Sequence, residues 1–129
     1  MLTGYIIDDK PVLPVIVGWN LNMQEFLALV DTGFTGELKV SPEAAEELGL
    51  VVTDVRTVSQ ADGKPTVWGS GLAYVSLEGT KRQVSVLIGP GQPIIGVRLL
   101  KNFGYILTMN FSAENFYLKR IEESLNFDV

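Results

Sequence analysis

The sequence contains no cysteine and no histidine. These two absences exclude disulfide frameworks, thiol nucleophiles, Cys/His metal sites, Ser-His-Asp triads and imidazole acid–base catalysis. Any acid–base chemistry must run on carboxylates, lysine, tyrosine or the backbone. Charge is scarce as well, with 19% of residues charged and a net charge of -5. Clustered basic residues are what a phosphate backbone requires, and here the only adjacent basic pairs are Lys81-Arg82 and Lys119-Arg120. Nucleic acid is therefore not the expected partner. No apolar run approaches the roughly 18 residues needed to cross a membrane. Met1-Leu2-Thr3-Gly4-Tyr5 lacks the charged start and apolar stretch of a signal peptide, so the expected location is the cytoplasm. What remains is 129 residues at 47% hydrophobic content, the composition of one compact domain over residues 1–129.

β-Branched and aromatic residues recur in short runs broken by Gly, Pro, Asn and Asp, the pattern of strands and turns. Strands are expected over 2–7 and 12–17, around a turn at Asp8-Asp9-Lys10-Pro11. The stretch Phe26-Leu27-Ala28-Leu29-Val30 reads as a central strand buried on both faces. A short strand follows over 38–40. Ser41-Pro42-Glu43 is a helix start: Ser is a good N-cap, Pro suits the first turn, and Gly49 offers a left-handed stop. Two long strands over 51–60 and 66–77 flank Ala61-Asp62-Gly63-Lys64, where Asp-Gly signals a hairpin. A strand over 82–88, a Gly/Pro loop over 89–93, a short helix over 97–103 and a last hairpin over 105–111 and 116–121 complete a mostly β chain with two short helices.

Among the fifteen acidic residues, most sit in polar surroundings and read as a solvated face. Asp31 differs, because it ends an apolar strand and precedes Thr32-Gly33. A carboxylate there is held rigidly on a turn. On that ground alone it is either a functional group or a strand-ending Asx turn that accepts backbone N–H bonds.

The wider pattern is more specific. Ala28-Leu29-Val30-Asp31-Thr32-Gly33 resembles the catalytic signature of aspartic proteases. Pro93-Ile94-Ile95-Gly96-Val97-Arg98-Leu99-Leu100 resembles the second signature of the retroviral-protease-like (retropepsin-like, clan AA) branch. The Asp-Gly-tipped hairpin lies between them, where that family places its flap. The resemblance covers roughly residues 12 to 120. It implies a single-domain retropepsin-like closed β-barrel with two short helices and a flap hairpin. It also implies an aspartic endopeptidase that hydrolyses extended polypeptide, with no cofactor and no metal.

The chemistry implied needs two carboxylates at close range sharing one proton, one activating water and the other protonating the scissile carbonyl. This chain has a single Asp-Thr-Gly, so the resemblance implies a homodimer with one Asp31 from each subunit on the twofold axis. By the same resemblance the Thr32 hydroxyl reaches the partner subunit's loop, and Gly33 leaves room for substrate beside the carboxylate. Phe34, Ala61, Asp62, Gly63, Ile94 and Ile95 are the implied substrate contacts, the middle three as flap tip. For the two isoleucines, core packing is the competing reading, and Trp68 is either a flap support or a core residue. Retroviral enzymes usually pair an acid two places after the motif's Gly with an arginine after Ile-Ile-Gly. Here those positions are Thr35 and Val97, so both charges are absent. A non-catalytic dimeric module that binds an extended segment by strand addition is the alternative of a different class.

Overall fold

The computed structural model describes residues 1–59 and 62–121. The first hairpin joins β1 (Leu2–Ile7) to β2 (Lys10–Trp19). Its loop is only Asp8-Asp9, both at positive φ (50° and 63°), so Lys10 and Pro11 belong to the strand and not to the turn. Short polar side chains tolerate this left-handed backbone, and the resulting loop matches the strand twist. A second hairpin turns at Asn20-Leu21 into β3 (Asn22–Val30), so β2 and β3 pair without a break from Trp19↔Asn22 to Val12↔Leu29. Neither strand was expected to be so long.

After β4 (Leu38–Val40) comes α1 (Pro42–Leu48). Its signals act as expected: the Ser41 hydroxyl accepts from the Ala44 N–H at 3.1 Å, and Gly49 caps the end at φ 71°. Seven residues cannot hold a helix alone, and Ala44, Ala45 and Leu48 bury its inner face. The chain then forms β5 (Asp54–Ser59), β6 (Pro65–Leu77) and β7 (Thr80–Ile88) as consecutive antiparallel neighbours. β5 starts later than expected. The Val51 carbonyl passes over Gly71 so closely that a Cβ there would lie 2.4 Å from it. β8 (Ile94–Ile95), α2 (Val97–Asn102), β9 (Tyr105–Asn110) and β10 (Asn115–Arg120) complete the chain.

The sheet order is β5-β6-β7-β4-β8-β3-β2-β1-β10-β9, with β6 also pairing to β2 through Ile16↔Ser76, Val17↔Val75 and Gly18↔Tyr74. That extra pairing closes the path β2-β3-β8-β4-β7-β6 on itself, so the middle of the sheet is a small barrel. Val15, Val17, Ala28, Val30, Leu38, Val40, Val75, Val86 and Ile95 belong to one buried cluster, with Leu99 from α2. Two hairpins project from the ring as the ends of the sheet, β5–β6 on one side and β9–β10 on the other.

One expectation about the core needs correction. The apolar run 26–30 is not buried on both faces: Ala28 and Val30 face inward, but Leu27 is exposed and Leu29 half-exposed. β3 is central in the sheet, yet the sheet bends into a barrel and covers only the inner face. No described helix is long and apolar enough to cross a membrane.

Candidate active site

Asp31 stands at the exit of β3, where two strands fix the backbone. Its N–H donates to the Ile95 carbonyl at 3.0 Å, and β3 runs parallel to β8 through Leu29↔Ile94 and Val30↔Ile95. The chain then turns sharply. The Phe34 N–H donates to the Asp31 carbonyl (3.1 Å), and the Gly33 N–H donates to the Asp31 carboxylate oxygen Oδ1 (2.8 Å). This is the Asx geometry, and it coexists with a functional reading. One carboxylate oxygen is oriented by the backbone while the side chain stays only half-buried. A Cβ on Gly33 would sit 3.1 Å from that oxygen, so glycine keeps the carboxylate uncrowded.

The segment after the turn is bolted to the second signature by backbone alone. Gly96 N–H donates to the Glu37 carbonyl (3.0 Å), Val97 N–H to the Phe34 carbonyl (3.0 Å) and Arg98 N–H to the Gly36 carbonyl (3.3 Å). Gly96 has ordinary backbone angles, but a Cβ on it would meet the Gly36 carbonyl oxygen at 2.2 Å and that of Phe34 at 2.5 Å. The Gly of Ile-Ile-Gly is thus required by close approach. Glu37 adds a side-chain link, its two carboxylate oxygens accepting from the Ser85 N–H (3.0 Å) and the Asn102 amide (2.8 Å). Thr35 and Val97 are both exposed and make no charged joint, and the 34–38 segment is held by three backbone bonds and by Glu37.

Register separates the two isoleucines. Ile95 pairs with Val30 and shares its inward face, where it is fully buried; this position is core packing, not a subsite. Ile94 pairs with Leu29 and shares its outer face, where both keep accessible surface next to the Asp31 loop.

A cleft of about 330 Å³ runs from Gly33 through Leu38 on one wall to Arg56, Thr57, Val58 and Ser59 of β5 on the other, floored by Ser70 and 85–87. Phe34 lines it, as its position after the motif suggests. Of the described tip residues, Asp62 and Gly63 do not line it. Gly63 lies at φ 80° and Asp62 accepts from the Lys64 N–H at 2.9 Å, a self-contained turn, while Ala61 lies outside the described residues. Trp68 is neither at the tip nor in the core. It is half-buried at the hairpin base, its ring so close to Gly89 that a Cβ there would meet it at 2.5 Å.

Glu37, Arg56 and the β7 residues of the cleft are not singled out by the sequence. Glu37 carried one usable signal, an acid directly before the apolar Leu38 and close to the motif, unlike a residue of a solvated face. The β7 residues carried none, because they reach the cleft by pairing across the barrel. Among the described residues no three acidic side chains converge as a metal site would need.

Comparison with known proteins agrees with this geometry. The chain matches the aspartyl protease family over residues 14–111, and it belongs to that family. Its fold is similar to that of a retropepsin-like aspartic protease from Rickettsia conorii (TM-score 0.65, 17% identity, 92% of this chain and 89% of that one). It is also similar to EIAV protease complexed with the inhibitor HBY-793 (TM-score 0.61, 17% identity, 81% of this chain and 98% of that one). The architecture is retropepsin-like. No curated protein matches the sequence.

Proposed function

We propose that this protein is an aspartic endopeptidase, active as a homodimer, that hydrolyses extended polypeptide with water activated between two Asp31 carboxylates. The observation that carries the reading is the Asp31 turn. The Gly33 N–H holds the partly exposed carboxylate, the Asp31 N–H donates to the Ile95 carbonyl and holds the backbone, and each chain has one such turn. Two of them related by a twofold axis make the dyad, whose carboxylates share one proton in the productive state. One Asp31 takes the proton of the water as it attacks the carbonyl carbon. The other gives its proton to the carbonyl oxygen, and collapse of the tetrahedral intermediate expels the amine with a proton returned. Thr32 braces the loop against the partner subunit. Gly33 and Phe34 border the cleft, Ile94 with Leu29 supplies an apolar subsite, and Ala61, Asp62 and Gly63 close over bound peptide as the flap tip.

The test is Asp31→Asn, nearly isosteric but unable to act as base. It is expected to lower kcat on an extended apolar peptide by on the order of 10²- to 10⁴-fold, with sedimentation showing an unchanged dimer. Hydrolysis at the parent rate, or activity from a species that sediments only as monomer, overturns the reading. In the parent, kcat/KM should be bell-shaped in pH with an optimum between about 4 and 6.5, since the productive dyad holds one proton. A rate still rising at pH 9 rejects the shared proton.

A further inference from the structure

Lys39 is a charged residue in a place where charge is expensive. It lies on β4 between β7 and β8, opposite Leu87 and Ile94, with its side chain on the face away from Leu38 and Val40. It is 6% exposed, and among the described residues no carboxylate pairs with it. Burial lowers its pKa from the ordinary lysine value. A buried cation without a counter-charge persists only if other groups hold it. Here the ammonium donates to the Pro90 carbonyl and lies 5.8 Å from the centre of the Trp68 ring.

Two glycines make that arrangement possible. Gly91 stands at φ 96°, and a Cβ on it would lie 3.2 Å from the Lys39 Nζ. Gly89 lets the loop pass against the face of Trp68. Three separate pieces of chain therefore meet at one ammonium: β4, the base of the β5–β6 hairpin, and the 89–93 loop. That loop leads directly into Ile94, and its ends are pinned by Gly89 N–H to the Val40 carbonyl (3.0 Å) and Leu29 N–H to the Pro93 carbonyl (2.9 Å).

We infer that Lys39 is a positioning residue, an ammonium strut that ties the hairpin base to the 89–93 loop and thereby sets Ile94 against the peptide side chain it receives. This rests on the peptidase reading for its consequence in catalysis, though not for the strut itself. Lys39 touches no reacting atom. Its loss should loosen the apolar subsite and leave the Asp31 turn, which is held by its own backbone bonds, unchanged.

The experiment compares the parent with Lys39→Met, which keeps the stem and loses the charge, and with Lys39→Arg, which keeps a cation. Two readouts are taken. The first is amide exchange at Gly89 and Leu29, expected to speed up about tenfold in Lys39→Met and less in Lys39→Arg, with Val15 and Val17 in β2 unchanged. Unaltered exchange at Gly89 and Leu29 overturns the strut. The second is kinetics on paired peptides with Phe or Ala at the cleaved position. KM for the Phe peptide should rise about five- to tenfold with kcat within twofold, and KM for the Ala peptide should change little. A fall in kcat at constant KM, or an equal change for both peptides, overturns the positioning role. If Lys39→Met does not fold, Lys39→Gln, which also loses the charge but keeps a polar end, is measured instead and must give the same faster exchange, or the strut is rejected. If the parent cleaves no peptide at all, the peptidase reading fails, and the exchange measurement still decides the strut.

Discussion

The two ends of the sheet are both antiparallel hairpins, yet they are built in opposite ways. In β9–β10, alternate residues plunge into the core: Tyr105, Phe116 and Leu118 are buried, and Phe116 has no exposed surface. In β5 no residue is buried, and Val55 and Val67, on the two arms of the other hairpin, are 61% and 63% exposed. Both hairpins satisfy their backbone by pairing, six residue pairs in each. The difference is what lies beneath. Phe116 lies over Gly4 of β1, where any Cβ would collide with its ring at 2.0 Å, whereas the hairpin β5–β6 beyond Trp68 lies over a cleft. Local stability follows buried apolar area more than strand pairing, so β9–β10 is the anchored hairpin and β5–β6 the more weakly held one.

The largest test of this contrast is at the anchor. Phe116→Ala should destabilise the protein by about 3–5 kcal/mol, because it removes a ring whose space the facing Gly4 cannot fill. Urea unfolding gives the value, and a loss near zero would mean that β9–β10 is no more anchored than β5–β6. A smaller effect is expected at Tyr105, whose hydroxyl donates to Glu78 at 2.7 Å and stitches β9 to the turn after β6. Tyr105→Phe should cost about 1 kcal/mol at neutral pH. Burial, and then the hydrogen bond to Glu78, push the tyrosine pKa up to about 12. Between the unfolded value of about 10 and the folded one, the unfolded chain loses its proton first. The stability linked to Tyr105 is therefore intact below about pH 10 and lost as pH rises toward 12. Unfolding free energies of the parent and Tyr105→Phe should converge over that window, and parallel curves would show that the hydroxyl is not held.

The same contrast shows what a sequence can disclose. Turn chemistry was legible, as Ser41, Gly49 and the Asp62-Gly63 tip show, because these signals act within a few residues. The Asp31 turn and its partner strand were legible because two motifs carry them, and the role of Gly96 follows from how tightly the motifs pack. Which isoleucine keeps accessible surface beside the Asp31 loop was not legible. Period 2 assigns opposite faces to Ile94 and Ile95, but only the register with Leu29 and Val30 says which is which. The run 26–30 misled for a related reason: a continuous apolar stretch suggests two covered faces, whereas here the outer face borders the site. Lys39 carried too little local signal, since a charged residue in a short strand is ordinarily read as exposed, and the one signal at Glu37, its place before Leu38, named no partner. Their partners Pro90, Trp68, Ser85 and Asn102 are brought to them only by the closure of the barrel.

The smallest expected effect sharpens the comparison most. Val67→Thr conserves shape and β propensity and changes only polarity, at a position opposite Thr57 in the hairpin. If the β5–β6 face is uncovered, as its exposure indicates, burial contributes almost nothing there, and stability should stay within about 0.5 kcal/mol of the parent. The hydroxyl finds water and leaves no buried group unsatisfied. Backbone pairing is untouched, so amide exchange along β5 should remain faster than along β10 in both proteins. Function can respond where stability does not. A lid that closes over peptide buries its inner residues only in the bound state, so an altered KM with unaltered unfolding would show that the hairpin meets substrate. The result that would break the comparison is a loss above about 2 kcal/mol, the size expected for a core position. That outcome would mean the β5–β6 face is covered in solution, as by a second copy of the chain, and that this hairpin is an anchor of the assembly in the way β9–β10 is an anchor of the subunit.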